Sequence, residues 1–459
     1  MPSNLSKFIK LSCKNYSHLW IDSCISAAMG LGLDCLEESL KIYSTVYIAS
    51  LLINRRKLTK DVIIRTILGI LQSSAFLSMT AFNYSANICA LNRILGGMNI
   101  WTVSFLPSFL SNLIAIIIEK PTRRTLLCLY VSNIATETLF NMGVWRGYFP
   151  SMPYGQTYIF AASITVLLYL HRTKRINQDS VYNIIRFVIG PYEQFQNCNQ
   201  ETKHLQTTTC TESSDSNQEC KRHTFNIILK SFEIYKQIIN NLKNKYKHWS
   251  CPHPHSCAHY ILMSGIKLFS YGYGIQVAIK LILQSPNIFK RPKHIKNILF
   301  KKQYLNIATF LGGFSTLYKL TLCSLRRTYD KDSPKFAIPA GLIASIAFIA
   351  FPNNTLALYF MWKGLHLIWN EGVEKGIFPE FKWFVIFLYS FSTAVLFHAA
   401  IVEPQNLRSS YWKFLYTASG GRIATISRSC LEPFGMNSNK YLQEILVKTN
   451  TTDQHTFLF

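Results

Sequence analysis

The chain has 459 residues, of which 49% are hydrophobic and only 15% charged, and its net charge is +25. Soluble domains carry about 25% charged residues, so this composition weighs against a soluble enzyme and favours a membrane protein. The basic residues cluster at the ends of apolar runs, as in Arg55-Arg56-Lys57, which is the positive-inside pattern of membrane proteins. No signature of a nucleic-acid-binding fold accompanies the charge, so we expect no nucleic-acid partner.

The N-terminal half begins with a cysteine- and histidine-containing segment, residues 1–35, which has no continuous apolar stretch of a secretory signal. A first membrane repeat is predicted over residues 36–171. Its third apolar run is uncharged over 18 residues, about the length that crosses a bilayer core. The five apolar runs of this repeat lie near residues 36–54, 62–91, 101–118, 125–143 and 156–171.

A polar linker is predicted over residues 172–250. Its stretch 193–222 is rich in Gln, Asn and Thr and is expected to be disordered. Apolar residues at helical spacing over 225–248 predict an amphipathic helix, which either lies on a membrane surface or packs on the bundle.

The C-terminal half is predicted as a second membrane repeat over residues 251–404, followed by a basic tail over 405–459. This repeat also contains five apolar runs, near residues 262–284, 303–325, 336–351, 355–371 and 383–402.

The two repeats resemble each other residue by residue. The segment NMGVWRGYFP (141–150) recurs as NEGVEKGIFP (370–379) with six identities in ten positions, where chance gives about one. The match extends in both directions at a nearly constant offset. Upstream, Phe76, Tyr84 and Cys89 recur as Phe310, Tyr318 and Cys323. The sequence therefore predicts an all-α, polytopic membrane helix bundle made of two homologous halves of about five helices each.

The orientation of the halves depends on the number of spans. An odd number per half inverts the second half, as in many transporters, whereas an even number leaves the halves parallel. The positive-inside rule does not distinguish the two orientations. Basic clusters follow both the sixth and the seventh runs, and these two loops would lie on opposite sides of the membrane.

Cysteine and histidine boxes precede the first run of each half. They contain ligand types that Zn²⁺ prefers, although their spacings match no standard finger. The alternatives are separate reduced thiols with surface histidines, or disulfides if the boxes face an oxidising space. The sequence thus predicts no cofactor unless these boxes bind zinc. The candidate ligands are Cys13, His18, Cys24, Cys251, His253, His255, Cys257 and His259.

Ionisable residues inside the apolar runs form a second set of candidates, because charge within a membrane is costly and usually functional. A Glu137–Lys319 or Glu137–Lys363 pair would hold the halves together, and the same groups would otherwise line a polar path. The set comprises Glu137, Lys319, Lys363, His366 and His398.

Glycines in the runs predict close helix packing, and some of them simply end a helix before a proline. They are Gly143, Gly147, Gly312, Gly313, Gly341, Gly372 and Gly376.

Four segments, LEESLKIY (36–43), ILQSSAFL (70–77), NIATETLF (133–140) and SYWKFL (410–415), resemble the transmembrane protein 135 family. The resemblance covers nearly the whole chain outside the linker. It implies a multi-pass protein of mitochondrial and peroxisomal membranes, linked to fission–fusion balance and to peroxisome-related lipid handling. It also implies a cysteine-rich N-terminal region and a C-terminal half similar to the translocase channel family of the mitochondrial inner membrane.

No P-loop, nucleophile elbow or zinc-protease motif occurs, so we expect no enzymatic activity. The first hypothesis is a membrane-organelle factor whose partners are the bilayer and the fission machinery or other membrane proteins. The second is a transporter or channel-like protein with inverted repeats, and the third is a metal-dependent membrane enzyme. The oligomeric state stays open.

Overall fold

The computed structural model describes residues 8–53, 59–173, 180–193, 236–237, 239–244, 246–283, 305–381 and 383–453. The predicted polar stretch lies outside these residues except for Glu193, and so do residues 225–235 of the predicted amphipathic helix. Within the described part, helices and turns account for the secondary structure. The single β-type contact among the described residues is an isolated bridge between Ile9 and Met98. The all-α prediction is confirmed.

The helices divide into two compact units, of which unit 1 comprises residues 1–152 and 365–459. Its helices are α1 (Cys13–Ser17), α2 (Cys24–Ile53), α3 (Lys60–Leu95), α4 (Ile100–Val103), α5 (Phe105–Ala115) and α6 (Pro121–Trp145).

Unit 2 comprises residues 153–364. Its helices are α7 (Gly155–Thr173), α8 (Ser180–Ile189), α9 (Cys257–Leu283), α10 (Asn306–Tyr329) and α11 (Ala337–Ala344), which continues as a 3₁₀ segment, Ser345–Ala350. The next helix, α12 (Asn354–Glu374), crosses the boundary after Gly364. The chain then returns to unit 1 with α13 (Phe384–Val402), α14 (Ser409–Ala418), α15 (Arg422–Thr425) and α16 (Ser438–Thr449).

The predicted apolar runs correspond to helices in chain order, with two differences. The helix that corresponds to the first run, α2, begins at Cys24 rather than near residue 36, so it includes the end of the predicted cysteine-containing segment. The third run is broken at Ser104 into α4 and α5, and the side chain of Asn99 caps the N-terminus of α4 through a capping box with Thr102.

The last helix of each predicted repeat packs with helices of the other repeat. Helix α13 packs against α5 and α6 in unit 1, whereas α7 packs against α11 and the 3₁₀ segment in unit 2. At the α6–α13 contact, the hydroxyls of Ser132 and Ser392 are 3.1 Å apart, as expected for small polar residues between close helices. Sequence similarity groups helices by their common origin, whereas packing groups them by the core that they share. The boundaries of the compact units therefore differ from those of the predicted domains.

The C-terminal segment, which the sequence describes only as polar and basic, is folded into unit 1 over its described residues. Trp412, Leu431 and Leu446 are buried in the same core as helices α3, α6 and α13. Arg428 is only 2% exposed and donates to the backbone carbonyls of Ala400 and Ile423.

The duplicated decapeptide forms the same helix end in both places. Gly147 and Gly376 have φ of 77° and 71°, the left-handed conformation that ends a helix at glycine. The amides of Tyr148 and Ile377 donate to the carbonyls of Gly143 and Gly372 respectively, each at 2.8 Å. The repeated sequence thus encodes a repeated backbone turn.

Two of the described helices are long and apolar enough to cross a membrane, α3 and α13. Helix α3 exposes an apolar face that includes Ile64, Leu68 and Leu71. Most of the apolar stretch of α13 is buried in the protein. The outward apolar face of α3 has the character of a lipid contact.

Candidate metal centres

The first group of metal-ligating side chains joins the N-terminal segment to α3. Cys13 is the first residue of α1, His18 follows the end of α1, and Cys24 is the first residue of α2. Cys89 lies on α3 and completes a group of three thiols and one imidazole whose ligand atoms all lie within 4.8 Å of one another.

The ligand atoms of this group lie close enough together to coordinate one metal ion. The Sγ atoms of Cys13 and Cys24 are 3.4 Å apart, and Cys89 Sγ is 3.5 Å from His18 Nε2. His18 is 1% exposed, and its Nδ1 lies 2.8 Å from the carbonyl oxygen of Ile21. That hydrogen bond makes Nδ1 the protonated nitrogen, so the lone pair of Nε2 faces the thiols.

The second group repeats this arrangement in unit 2. Cys251 and His253 precede α9, Cys257 is its first residue, and Cys323 lies on the following helix, α10. The ligand atoms of these four residues also lie within 4.8 Å of one another. The order of ligand types along the chain is the same as in the first group.

The distances repeat as well. The Sγ atoms of Cys251 and Cys257 are 3.8 Å apart, and Cys323 Sγ is 3.6 Å from His253 Nε2. His253 is fully buried, and its Nδ1 lies 2.6 Å from the carbonyl oxygen of His255. The imidazole also stacks on Tyr260, with ring centroids 4.4 Å apart, which fixes the orientation of the ring.

Each group could hold one metal ion. Three thiolates and one imidazole nitrogen are a set that tetrahedral Zn²⁺ accepts in structural sites. One thiol of each group is the first residue of the long helix that follows its box, Cys24 on α2 and Cys257 on α9.

The protonation equilibria of the two groups differ when no ion is bound. Burial and the hydrogen bond with Cys24 raise the pKa of Cys13. The pKa of Cys251 is lowered, chiefly by its hydrogen bond with Cys323 and further by the one with His253.

Two predicted ligands stand apart from these groups, and two members of the groups were not predicted. His255 contributes its backbone carbonyl to His253, and its ring lies 5.1 Å from that of His259, which is 9% exposed. Cys89 and Cys323 were missed as ligands because each lies on an apolar helix far along the chain. Their equivalence in the internal repeat was the signal that could have identified them.

The intramembrane candidates take part in local interactions. Glu137 forms an ion pair with Arg408, which follows α13. Lys319 is 3% exposed, donates to Ser264 and lies 4.3 Å above the ring of Tyr260. Lys363 is 8% exposed. This ion pair joins Glu137 to the C-terminal segment, whose arginine the sequence did not single out.

The two remaining histidines contact polar residues of unit 1. His398 Nδ1 is 2.9 Å from the hydroxyl of Ser104, at the break between α4 and α5, and its ring stacks on Trp101. His366 Nε2 is 3.3 Å from the side-chain amide of Asn370.

The glycines of unit 2 lie at close helix contacts. A Cβ on Gly312 would lie 3.0 Å from the carbonyl oxygen of Gly265 on α9, and one on Gly341 would lie 2.8 Å from the hydroxyl of Thr165 on α7. A Cβ on Gly313 would lie 3.3 Å from the Cβ of Ala347. These positions act in helix packing.

Unit 2 also contains a buried ion-pair network that the sequence did not predict. Arg326 and Glu193 have fully buried side chains and form an ion pair at 2.8 Å. Asp332 bridges Arg326, at 3.0 Å, to Arg172, at 2.5 Å. Tyr260, which stacks on His253, donates to Glu193 at 3.0 Å.

An apolar cavity of about 240 Å³ lies inside unit 1, next to the first cysteine–histidine group. Side chains from α3, α6, α13 and α14 line it together with the segment that contains His18 and Trp20. The lining includes Phe76, Leu127, Tyr389 and Phe414, with Arg422 as a cationic member.

Comparison with known families gives one match. Residues 10–144 match the family described as the N-terminal cysteine-rich region of Transmembrane protein 135. The matched range contains all four members of the first group, Cys13, His18, Cys24 and Cys89. No solved structure matches this chain.

Proposed function

We propose, from the match of residues 10–144 to the N-terminal cysteine-rich region of Transmembrane protein 135, that the chain is a non-enzymatic, multi-pass membrane protein of that family and that it handles lipid. In this proposal it acts in mitochondrial and peroxisomal membranes, and its handling of lipid influences the balance of mitochondrial fission and fusion. The two halves of the chain are homologous bundles of about five helices each.

The apolar cavity of unit 1 carries this proposal. Its lining is dominated by aromatic and aliphatic side chains, among them Phe76, Tyr84 and Tyr389, which suit hydrocarbon better than a polar substrate. The helix that supplies Phe76 and Tyr84 also presents an apolar face outward, so the cavity adjoins an element that contacts lipid.

The charged edge of the cavity suits an amphipathic ligand. Arg422 lines the cavity, donates from Nε to Asp34 at 2.7 Å and lies 5.3 Å from the ring of Trp20. A lipid places its acyl chain among apolar residues and its headgroup beside polar or charged groups, and the Arg422–Asp34 ion pair supplies such a charged edge.

Photocrosslinking tests lipid occupancy. The full chain, in nanodiscs of phosphatidylcholine doped with a photoactivatable acyl-chain analogue, should crosslink at cavity residues such as Phe76 and Tyr389. Leu127→Trp, which fills part of the cavity, should reduce these crosslinks several-fold. The neighbouring Leu126 is 63% exposed on the same helix, so Leu126→Trp is the matched control and should leave them unchanged.

The same variants test the cellular role. In cells that lack the endogenous protein, Leu126→Trp should restore mitochondrial network length and peroxisomal lipid content, whereas Leu127→Trp should not. Crosslinks confined to the outward face of α3, or full rescue by a folded Leu127→Trp protein that has lost its lipid, would contradict a role for the cavity.

A transporter with inverted repeats is the second candidate, favoured by the buried cation Lys319 in unit 2. The substitutions Glu137→Gln and Lys319→Met, which remove one charge each, should then abolish transport of the substrate while the protein stays folded. A stable double variant that fully restores organelle shape would remove a transport path through these residues.

A further inference from the structure

We propose that each cysteine–histidine group is a closed structural zinc site, so that the chain binds two Zn²⁺ ions, one in each unit. The ligands of the first site are Cys13, His18, Cys24 and Cys89. Those of the second are Cys251, His253, Cys257 and Cys323. This inference goes beyond the proposed lipid role and does not depend on it.

The spacing between ligand atoms is that of a tetrahedral zinc site. With Zn–S of about 2.3 Å and Zn–N of about 2.0 Å, ideal tetrahedral angles place sulfur atoms about 3.8 Å apart and sulfur about 3.5 Å from nitrogen. The two sites give S···S distances of 3.4 and 3.8 Å and S···N distances of 3.5 and 3.6 Å.

The histidines are prepared for coordination. In both sites Nδ1 is engaged with a backbone carbonyl a few residues along the chain, Ile21 for His18 and His255 for His253. This second-shell contact is typical of metal-ligating histidines, because it fixes the tautomer and leaves Nε2 free to bind. Both imidazoles are almost fully buried, where a structural site excludes solvent.

A disulfide accounts for less of the geometry. It would join two of the three thiols in each site and leave the third facing an imidazole nitrogen. It would also give no reason for the Nδ1 contacts or for the convergence of four ligand atoms twice in one chain. The two sites are different sets of residues with the same ligand order. In both, the third ligand is the first residue of a long helix, the fourth lies within the next long helix, and Nε2 is the imidazole nitrogen that faces a thiol.

The proposed ions would cross-link segments within each unit. Each would join the segment before the first helix of a repeat to the second helix of that repeat, α3 in one unit and α10 in the other. Neither site has an open coordination position, so the expected role is structural rather than catalytic.

Elemental analysis of the purified full chain tests this proposal. Mass spectrometry of metals should find two zinc atoms per chain. Cys89→Ser and Cys323→Ser should each lower the ratio to one, and the double variant should lower it to nearly zero. Cys128→Ser is the matched control, because Cys128 is a buried helical cysteine outside both sites, and it should keep two zinc atoms.

A second pair of variants keeps the test decisive if the serine variants do not fold. His18→Cys and His253→Cys convert each site to four thiolates, which zinc also accepts, and should retain two ions. A zinc ratio near zero in folded wild-type protein would overturn the proposal. So would intact Cys13–Cys24 and Cys251–Cys257 disulfides in peptide mass spectra, or serine variants that retain two zinc atoms.

Discussion

Replacing Gly372 with alanine tests the repeated helix end that closes α12. A Cβ at this position would lie 2.1 Å from Cδ2 of Phe378, whereas carbon atoms in contact are normally about 3.5–4.0 Å apart. The ring cannot move away without loss, because it stacks on Trp369 at a centroid distance of 5.0 Å. Overpacking costs about 1–3 kcal/mol, and the lost aromatic pair adds about 0.5–1.5 kcal/mol.

Thermal unfolding of the full chain in a mild detergent measures this effect. The midpoint should fall by about 2–4 °C for each kcal/mol lost. The control is Gly274→Ala on α9, where a Cβ would meet no atom within 4 Å. Alanine is the better helix former by about 1 kcal/mol, so this variant should be neutral or more stable. Equal midpoints for the two variants would refute the steric reasoning.

The remaining predictions concern buried charge and bound metal. Glu193→Ala should destabilise unit 2 by about 3–5 kcal/mol, because it leaves the fully buried Arg326 without this partner. Glu37→Ala, which breaks an exposed pair with Lys41, should cost less than about 1 kcal/mol, and similar losses in denaturant titrations of both variants would contradict the burial argument. A strong zinc chelator should lower the unfolding midpoint of the wild-type chain but not that of the Cys89→Ser, Cys323→Ser double variant; an equal fall in both would show that the chelator acts elsewhere.

Much of the architecture could be predicted from the sequence because apolar runs and glycine–proline punctuation are local signals. The ten runs correspond to helices, and the duplicated decapeptide gives the same turn twice. The compact units could not be predicted this way, because the packing of α7 and α13 depends on contacts between segments distant in the chain.

The ligands of the candidate metal centres were likewise predictable where they lie close together in the sequence and not where packing brings them together. Cys13, His18 and Cys24 lie close together in sequence and were predicted as a set, whereas Cys89 joins them only through the packing of α3. Cys323 stands in the same relation to the second box. Comparison of the repeats could have connected Cys89 to Cys323, since both occupy equivalent positions ahead of a basic helix end.

The ion pairs were the least predictable feature. Glu137 forms a salt bridge with Arg408 in the C-terminal segment, a partner that the sequence did not indicate, and its pairing with Lys319 or Lys363 stays a prediction. The sequence indicates that a buried carboxylate needs a cation, but the choice of cation depends on how distant helices meet.

X-ray absorption at the zinc edge of the purified, full-length chain tests the paired zinc sites most directly. We expect an average first shell of three sulfur atoms at about 2.3 Å and one nitrogen at about 2.0 Å, with two zinc atoms per chain. A first shell of oxygen and nitrogen alone, or no zinc absorption from folded protein, would contradict it.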